Sequence, residues 1–310
     1  MAMIIANQAV IMLLLNLVGI LAFKLKIVDR QGGKQLSAIV LEIVTPVLVV
    51  HSYLDVGFSK ELVQNLLWTF LLAAVSYAVT IVGAMILFPK KEGRETAIER
   101  FSAIYSNCGF MGIPLASALY GAEGVLYVTA FLTMFFFFSW THGIMLLTGK
   151  ADGKAFLKVL RSPTVIAIGI GLILYFTQIK LPSVLAETMG YISALNTPLA
   201  MMASGISVAQ TNILDALKNP RVYLTTAARL FILPVITLVM CLFCGFISEE
   251  VRIVVILLAA APSAAMCTLQ CQKLGLNDTY ASQIFALTTI FSVGTLPLIV
   301  KLFTMLLEIV

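Results

Sequence analysis

The sequence predicts an all-α integral membrane protein with ten transmembrane helices. Of its 310 residues, 60% are apolar and only 11% are charged, and the mean hydropathy is +1.02, whereas soluble domains carry about 25% charged residues. A helix that crosses a bilayer needs about 20 mostly apolar residues, and such stretches follow one another along almost the whole chain. A soluble core could not bury this much apolar surface, so a lipid bilayer is the expected surrounding.

Charged or Gly/Pro-rich breaks divide the apolar sequence into ten predicted spans. The first span has no basic residue before it and no small-residue cleavage site after it, so we expect a retained span rather than a signal peptide. The spans are expected near residues 3–23, 35–54, 62–88, 97–119, 123–148, 163–179, 184–210, 221–247, 251–273 and 278–307.

The basic residues predict the orientation of these spans. Fifteen of the 20 Lys and Arg residues lie in loops after odd-numbered spans, and only Lys60, Lys180 and Arg252 lie after even-numbered ones. The positive-inside rule therefore predicts cytoplasmic odd-numbered loops, with both termini outside the cell inner membrane. Charges spread over five short loops do not form one basic face, which argues against a nucleic-acid partner. The fifteen residues are Lys24, Lys26, Arg30, Lys34, Lys90, Lys91, Arg94, Arg100, Lys150, Lys154, Lys158, Arg161, Lys218, Arg221 and Lys273.

Two pairs of matching motifs indicate an internal duplication. Thr45-Pro46 in span two matches Thr197-Pro198 in span seven, and the turn 121–124 matches the turn 275–278, each about half a chain length apart. Residues 1–150 and 151–310 are thus predicted to form two five-span repeats. An odd number of spans makes the second repeat enter from the opposite side, and inverted repeats are typical of secondary transporters. A channel can also be duplicated and stays as an alternative.

Spans four and nine are predicted to be broken helices. The stretch 107–114 of span four contains two glycines and a proline, which weaken a helix, and span nine has a counterpart around Pro262. A broken helix must be buried in protein or line a wet cavity. If both breaks cross near the midplane, helix N-termini would direct N–H groups at one point and hold an anion beside Asn107 and Ser263. A proline kink without a ligand is the alternative.

Two further ionisable residues within the spans are candidates, because such residues are costly to place in a bilayer. Arg229 could pair with a substrate carboxylate, pair with a carboxylate such as Glu42, or extend to the cytoplasmic surface, and structural pairing or extension is favoured. His51 follows Pro46 by five residues, and its alternative is a hydrogen-bonded histidine of the core.

The sequence gives little support for metal, cofactor or catalytic chemistry. All five cysteines lie inside apolar stretches and there are only two histidines, so neither a disulfide framework nor a metal site is expected. A serine hydrolase would need a serine beside a histidine base, and no pattern links Ser204 or Ser207 to His51 or His142. We therefore expect no enzyme and no cofactor.

The pattern around Asn107 resembles a known family. Asn107 followed by Gly109, Gly112, Pro114 and Leu115 resembles the crossover segment of the auxin efflux carrier family, which includes plant auxin carriers and bacterial carboxylate permeases. The resemblance extends over most of the chain, and the other similar segments are 46–51, 200–205 and 280–297.

This resemblance implies a scaffold domain of spans 1, 2, 6 and 7 and a transport domain of spans 3 to 5 and 8 to 10. It implies that Asn107, Pro114 and Pro262 shape the substrate site. Met266 stands where the plant carriers have a second proline, and the long loop of many plant members is absent. The substrate-binding candidates are Asn107, Cys108, Gly109, Gly112, Pro114, Pro262, Ser263, His51 and Arg229.

The expected function is alternating-access transport of a small organic anion, such as malate, malonate or an auxin-like acid. A sodium-coupled symporter of the bile-acid-transporter type and an anion channel are the alternatives. Uniport or proton coupling is favoured because the crossover contains no set of carboxylates. The expected partners are the substrate and the lipid bilayer, and a homodimer is left open.

Overall fold

The computed structural model describes residues 1–91, 95–151 and 153–307, so Arg94, one of the basic residues counted above, lies outside the described residues. These ranges form helices joined by loops, with one isolated β-bridge. The helices are α1 (Ala2–Lys24), α2 (Arg30–Asp55), α3 (Lys60–Leu87), α4 (Thr96–Ile104), α5 (Cys108–Thr148), α6 (Ala155–Leu160), α7 (Pro163–Thr177), α8 (Ser183–Ala209), α9 (Ile213–Lys218), α10 (Pro220–Leu242), α11 (Glu249–Ala260), α12 (Met266–Leu274) and α13 (Asp278–Leu307).

Seven helices in the described part of the chain are long and apolar enough to cross a membrane, namely α1, α2, α3, α5, α8, α10 and α13. The sequence predicted ten spans. The count is lower because predicted spans four and nine are each divided between two pieces, and because α7 is apolar but short. In addition, α5 unites the end of predicted span four with span five.

The helix α5 folds back on itself at Gly121. Gly121 has φ 57° and ψ −137°, a backbone conformation that glycine adopts without a steric penalty. A Cβ on Gly124 would lie 2.3 Å from the carbonyl oxygen of Ala116, eight residues earlier, whereas eight residues of straight helix extend about 12 Å. The turn lies where the sequence predicted the boundary between spans four and five.

Prolines inside three of the long helices each follow a wide π-helical turn. These turns are Val40–Val44 before Pro46, Cys108–Gly112 before Pro114, and Ala228–Ile232 before Pro234. A proline ring would clash with the preceding turn of a regular α-helix, and a π turn relieves that clash by widening the spiral. The π turns thus let these helices continue through their prolines.

The helices α1 and α8 pack with their backbones in direct contact. A Cβ on Gly19 of α1 would lie 2.2 Å from the carbonyl oxygen of Met202, and one on Gly205 of α8 would lie 2.0 Å from that of Asn16. Small residues allow this close approach, which is typical of helix pairs in membranes. Nearby, the Thr45 hydroxyl donates to Oδ1 of Asn196 at 3.0 Å, linking α2 to α8.

Gly205→Ala tests the contact between α1 and α8. The added methyl group meets a main-chain oxygen, so no side-chain rotation relieves it, and we expect a loss of about 1–3 kcal/mol of stability. Gly169→Ala in α7 is the matched control, because nothing lies within 4 Å of a Cβ there and alanine favours helix. Thermal unfolding of the purified proteins measures both. Equal melting temperatures for Gly205→Ala and the parent would contradict this packing.

Candidate functional site

Two interrupted helices meet where α4 gives way to α5 and α11 gives way to α12. Ser106 and Ser263 form an antiparallel β-bridge. The Asn107 N–H donates to the carbonyl oxygen of Pro262 at 2.7 Å, and the Ala264 N–H donates to that of Tyr105 at 2.9 Å. These two extended segments, residues 105–107 and 262–264, are called the crossing below.

The break in span four lies earlier than the sequence predicted. We expected it within the stretch 107–114, but Cys108–Gly112 is a π-helical turn and the extended residues precede it. Pro114 stands at the second position of the regular α-helical part that follows that turn, where a missing N–H costs least. Gly112 instead has a packing role, because a Cβ there would lie 2.2 Å from Cδ2 of Leu258 on α11.

Gly109 has a different environment from Gly112. A Cβ on Gly109 would lie 3.7 Å from Cδ2 of Leu132, an ordinary contact distance. An alanine would therefore fit at Gly109 and would collide at Gly112. The two glycines of the motif are not equivalent, although the sequence pattern treats them alike.

Arg229 holds together the ends of both interrupted helices. Its Nη1 donates to the carbonyl oxygens of Ala103 at 2.8 Å and Ile104 at 3.0 Å, at the end of α4. Its Nε donates to Ala261 at 2.9 Å and its Nη2 donates to Ala259, at the end of α11. The side chain is only 1% exposed. The guanidinium thus faces the negative ends of two helix dipoles, and its partners are backbone carbonyl groups rather than a side-chain carboxylate such as Glu42.

Three side chains of the crossing carry polar atoms without a partner. Ser106, Asn107 and Ser263 are buried, and the Oγ atoms of both serines and Nδ2 of Asn107 make no hydrogen bond. The Ser263 N–H has a partner, because it donates to Oγ1 of Thr288 at 3.1 Å. All three atoms can donate a hydrogen bond, so the crossing concentrates unused donors.

The helices that leave the crossing add a positive potential to these donors. Both α5 and α12 begin directly after it, at Cys108 and Met266. The first N–H groups of a helix lack partners within that helix, and its N-terminus carries about half a positive charge. Because Arg229 occupies the carbonyl ends and the N–H ends face the crossing, the arrangement suits an anion.

The other predicted site residues lie in different surroundings. Cys108 is fully buried, and its thiol lies near the side chains of Ser106 and Tyr77. His51 Nδ1 lies 3.1 Å from Oδ2 of Asp55, and its ring faces Gly190 of α8. The structure therefore brings Asn107, Cys108, Pro262 and Ser263 together and gives His51 partners elsewhere.

An ion pair between the buried Glu99 and the partly exposed Arg221, which the sequence did not predict, connects α4 to α10. Glu99 is 1% exposed. It accepts from Nε of Arg221 at 2.8 Å and from the hydroxyl of Tyr280 at 2.9 Å, and Nη2 of Arg221 completes a bidentate contact. The sequence feature that could have indicated this ion pair is Glu99 itself, an acidic residue inside a predicted span. Arg221, counted above as a loop residue, lies in the first turn of α10.

Two further basic residues counted as loop residues contact other parts of the fold. Arg252 lies in α11, is 8% exposed and stacks over Phe303 at 5.9 Å. Arg100 lies in α4 and donates from Nε to the carbonyl oxygen of Phe88 at 2.9 Å. Part of the basic excess therefore has structural partners as well as a place near a membrane surface.

Among the described residues, no three His, Cys, Asp or Glu side chains are grouped to hold a metal ion.

Arg229→Leu tests the importance of the guanidinium for the crossing. Four buried carbonyl oxygens would lose their donor, and we expect a loss of at least about 3 kcal/mol of stability. Arg229→Lys should lose less, but a compact ammonium cannot replace the planar fork that spans both helix ends. Arg252→Leu is the control, because a cation–π contact is worth about 0.5–2 kcal/mol. Thermal unfolding compares the three variants, and equal losses for Arg229→Leu and Arg252→Leu would contradict this account.

Comparisons with known proteins agree with a role in transport. The chain matches the model of the family described as "Membrane transport protein" over residues 4–155 and 150–300. An uncharacterised transporter of Methanocaldococcus jannaschii is 26% identical over 221 residues, which cover 67% of this chain and 70% of that protein. An uncharacterised transporter of Methanothermobacter thermautotrophicus is 23% identical over 298 residues, covering 92% and 94%. This chain, with its several membrane-spanning helices, thus belongs to the membrane transport protein family, which is the auxin efflux carrier family.

Proposed function

We propose that the protein is a secondary transporter that binds a small organic anion at the crossing and carries it by alternating access. The observation that supports this most directly is the set of unpartnered donors on Ser106, Asn107 and Ser263, between two helix N-termini. A carboxylate needs several hydrogen-bond donors and a positive potential in order to leave water. Both are present in one buried place.

The proposal includes ten spans arranged as a five-plus-five inverted repeat. In it α4 and the first arm of α5 are span four, the second arm of α5 is span five, α7 is span six, and α11 with α12 is span nine. Residues 1–150 and 151–310 are the two repeats. In support, the family model matches in two segments that divide near the middle of the chain, and each proposed repeat contains one interrupted helix.

Movement of one domain against the other would expose the site to each side in turn. In this scheme α1, α2, α7 and α8 form the scaffold, whose helices are joined by the backbone contact between α1 and α8 and by the Thr45–Asn196 hydrogen bond. Spans 3 to 5 and 8 to 10 form the transport domain, which carries the crossing. The charge distribution favours cytoplasmic odd-numbered loops and termini outside the cell membrane.

Within the site, Asn107 and Ser263 would donate to the carboxylate, and Ser106 joins them as a residue that sequence reasoning missed. Cys108 and Gly109 would contribute backbone N–H groups at the start of α5. Pro262 supplies a carbonyl oxygen to the crossing itself. Arg229 is proposed as a positioning residue, because its donors are directed at Ala103, Ile104, Ala259 and Ala261.

Counterflow in proteoliposomes tests the transport proposal. Vesicles loaded with an excess of one unlabelled short acid should accumulate the same labelled acid transiently and saturably for at least one member of a panel of mono- and dicarboxylates that includes malate, because a carrier exchanges substrate across one alternating site. Imposed sodium and proton gradients identify the coupling ion, and acceleration only by sodium would favour the symporter alternative. Unsaturable flux without counterflow would favour the channel alternative.

Asn107→Ala tests the site itself. A hydrogen bond to a charged group contributes about 1.5–3 kcal/mol, so we expect half-saturation for the best competing acid to rise about 10- to 100-fold. Asn65→Ala in α3 is the control, because it removes a buried amide whose Nδ2 donates to the Tyr127 hydroxyl at 3.3 Å instead. An unchanged half-saturation in well-folded Asn107→Ala would remove this residue from the site.

A further inference from the structure

A small cavity lies one helical turn from the crossing, between α1, α8, the beginning of α5 and α13. The space in it that is open to a water-sized group is about 30 Å³, which is enough for one such polar group. Its lining is mostly apolar and includes Met12, Met111 and Val208. The polar lining consists of Asn16 on α1 and Thr289 on α13.

The amide of Asn16 offers this cavity an acceptor. Its Nδ2 donates to the carbonyl oxygen of Met12 at 2.8 Å and lies 3.4 Å from Sδ of Met201. Because a carbonyl oxygen can only accept, the first bond determines which end of the amide is the nitrogen. Oδ1 is buried without a partner, and the residue is 6% exposed.

Thr289 lines the same cavity from the other proposed domain. Its Oγ1 is also buried without a partner, and the residue is 5% exposed. A hydroxyl can donate or accept, but an amide oxygen needs a donor. An ionised carboxylate or a methyl group placed here would leave Oδ1 of Asn16 unpaired, whereas a hydroxyl or an ammonium group would satisfy it.

The spacing along α5 relates this cavity to the crossing. Met111 lines the cavity and lies four residues after Asn107, and the Met111 N–H donates to the carbonyl oxygen of Asn107 at 3.1 Å. One helical turn rises about 5–6 Å. A short acid in an extended conformation, with its carboxylate at the crossing, would therefore reach the cavity with a group at its fourth carbon.

We propose that Asn16 and Thr289 form a second subsite that binds a hydrogen-bond donor at the far end of the substrate, so that the carried acid has a hydroxyl or an ammonium group about three carbons from its carboxylate. This inference rests on the proposed function, because it assumes a carboxylate at the crossing. It narrows the substrate class, because simple fatty acids lack the distal donor and dicarboxylates present a second negative charge to the amide oxygen of Asn16.

Matched pairs of acids in the counterflow assay test the donor requirement. 4-Hydroxybutyrate should compete with labelled substrate about 5- to 100-fold better than butyrate. Glycolate and acetate, which are too short to span one helical turn, should compete equally. Comparing how strongly 4-aminobutyrate and 4-hydroxybutyrate compete then shows whether the subsite prefers an ammonium donor or a hydroxyl donor.

Variants assign the preference to the two residues. Asn16→Leu and Thr289→Val should each reduce the preference for 4-hydroxybutyrate over butyrate to within about twofold, because each removes a partner of the distal donor. Asn16→Leu also loses the hydrogen bond to the Met12 carbonyl oxygen. If this variant does not fold, Thr289→Val alone tests the subsite. Thr69→Val is the control and should keep the parent preference, because the Thr69 hydroxyl donates to the Asn65 carbonyl oxygen of its own helix at 2.7 Å.

Two results would overturn the inference: equal competition by 4-hydroxybutyrate and butyrate in the parent, or an unchanged preference in well-folded Thr289→Val. The cavity would then hold water only. Failure of every acid to exchange would instead contradict the transport proposal. In that case thermal stabilisation of the purified protein by the same pairs tests the subsite, and equal stabilisation by both members of the pair would overturn it.

Discussion

Two helices end inside the protein, at Ile104 and Ala260, and the carbonyl oxygens of both ends meet the guanidinium of Arg229. Backbone groups that face hydrocarbon without a partner cost several kcal/mol each, so neither helix could stop there alone. A lone buried arginine would be costly for the same reason. The arginine supplies donors to the free carbonyl oxygens, and these oxygens supply partners to the buried guanidinium. Its rigid fork of five donors matches oxygens that come from two directions. The crossing depends on this arrangement.

The same interaction determines the sign of the potential at the crossing. A helix interrupted inside a membrane protein presents both a negative and a positive end, and their effects would largely cancel. With the carbonyl ends bonded to a cation, the N–H ends of α5 and α12 dominate at the crossing. The Glu99–Arg221–Tyr280 cluster then ties α4 to α10 and α13. The short helix α4 is therefore held by hydrogen bonds at Glu99 and at its carbonyl end.

Much of this organisation could be predicted from the sequence, and the parts that could not share a physical cause. Proline, glycine and hydropathy act locally, so the turn at Gly121 and the presence of two broken helices followed from the pattern. The position of the first break did not, because it depends on pairing between Ser106 and Ser263, which lie far apart in the chain. The partners of Arg229 could not be predicted either, because every residue has a backbone carbonyl group and the sequence does not distinguish those that bind Arg229.

Glu99 and Arg221 illustrate a second limit. Each residue taken alone fits a charged helix end near a membrane surface, and the positive-inside rule counts Arg221 without regard to its partner. Only the packing of α4 beside α10 brings them together as an ion pair with a buried carboxylate. Likewise Asn16 lies in an apolar first span, where one amide gives no hint that it faces Thr289 across a cavity.

The β-bridge of the crossing has a consequence for how such proteins diversify. Its hydrogen bonds join main-chain atoms of residues 105–107 and 262–264, so the side chains of Ser106, Asn107 and Ser263 take no part in holding it. In the proposed carrier, substitutions among small polar residues there would alter what the crossing recognises and leave its backbone pairing in place. Selection could then change the carried substrate through single codon changes, while Arg229 and Gly112, which hold and pack the interrupted helices, would tolerate few replacements.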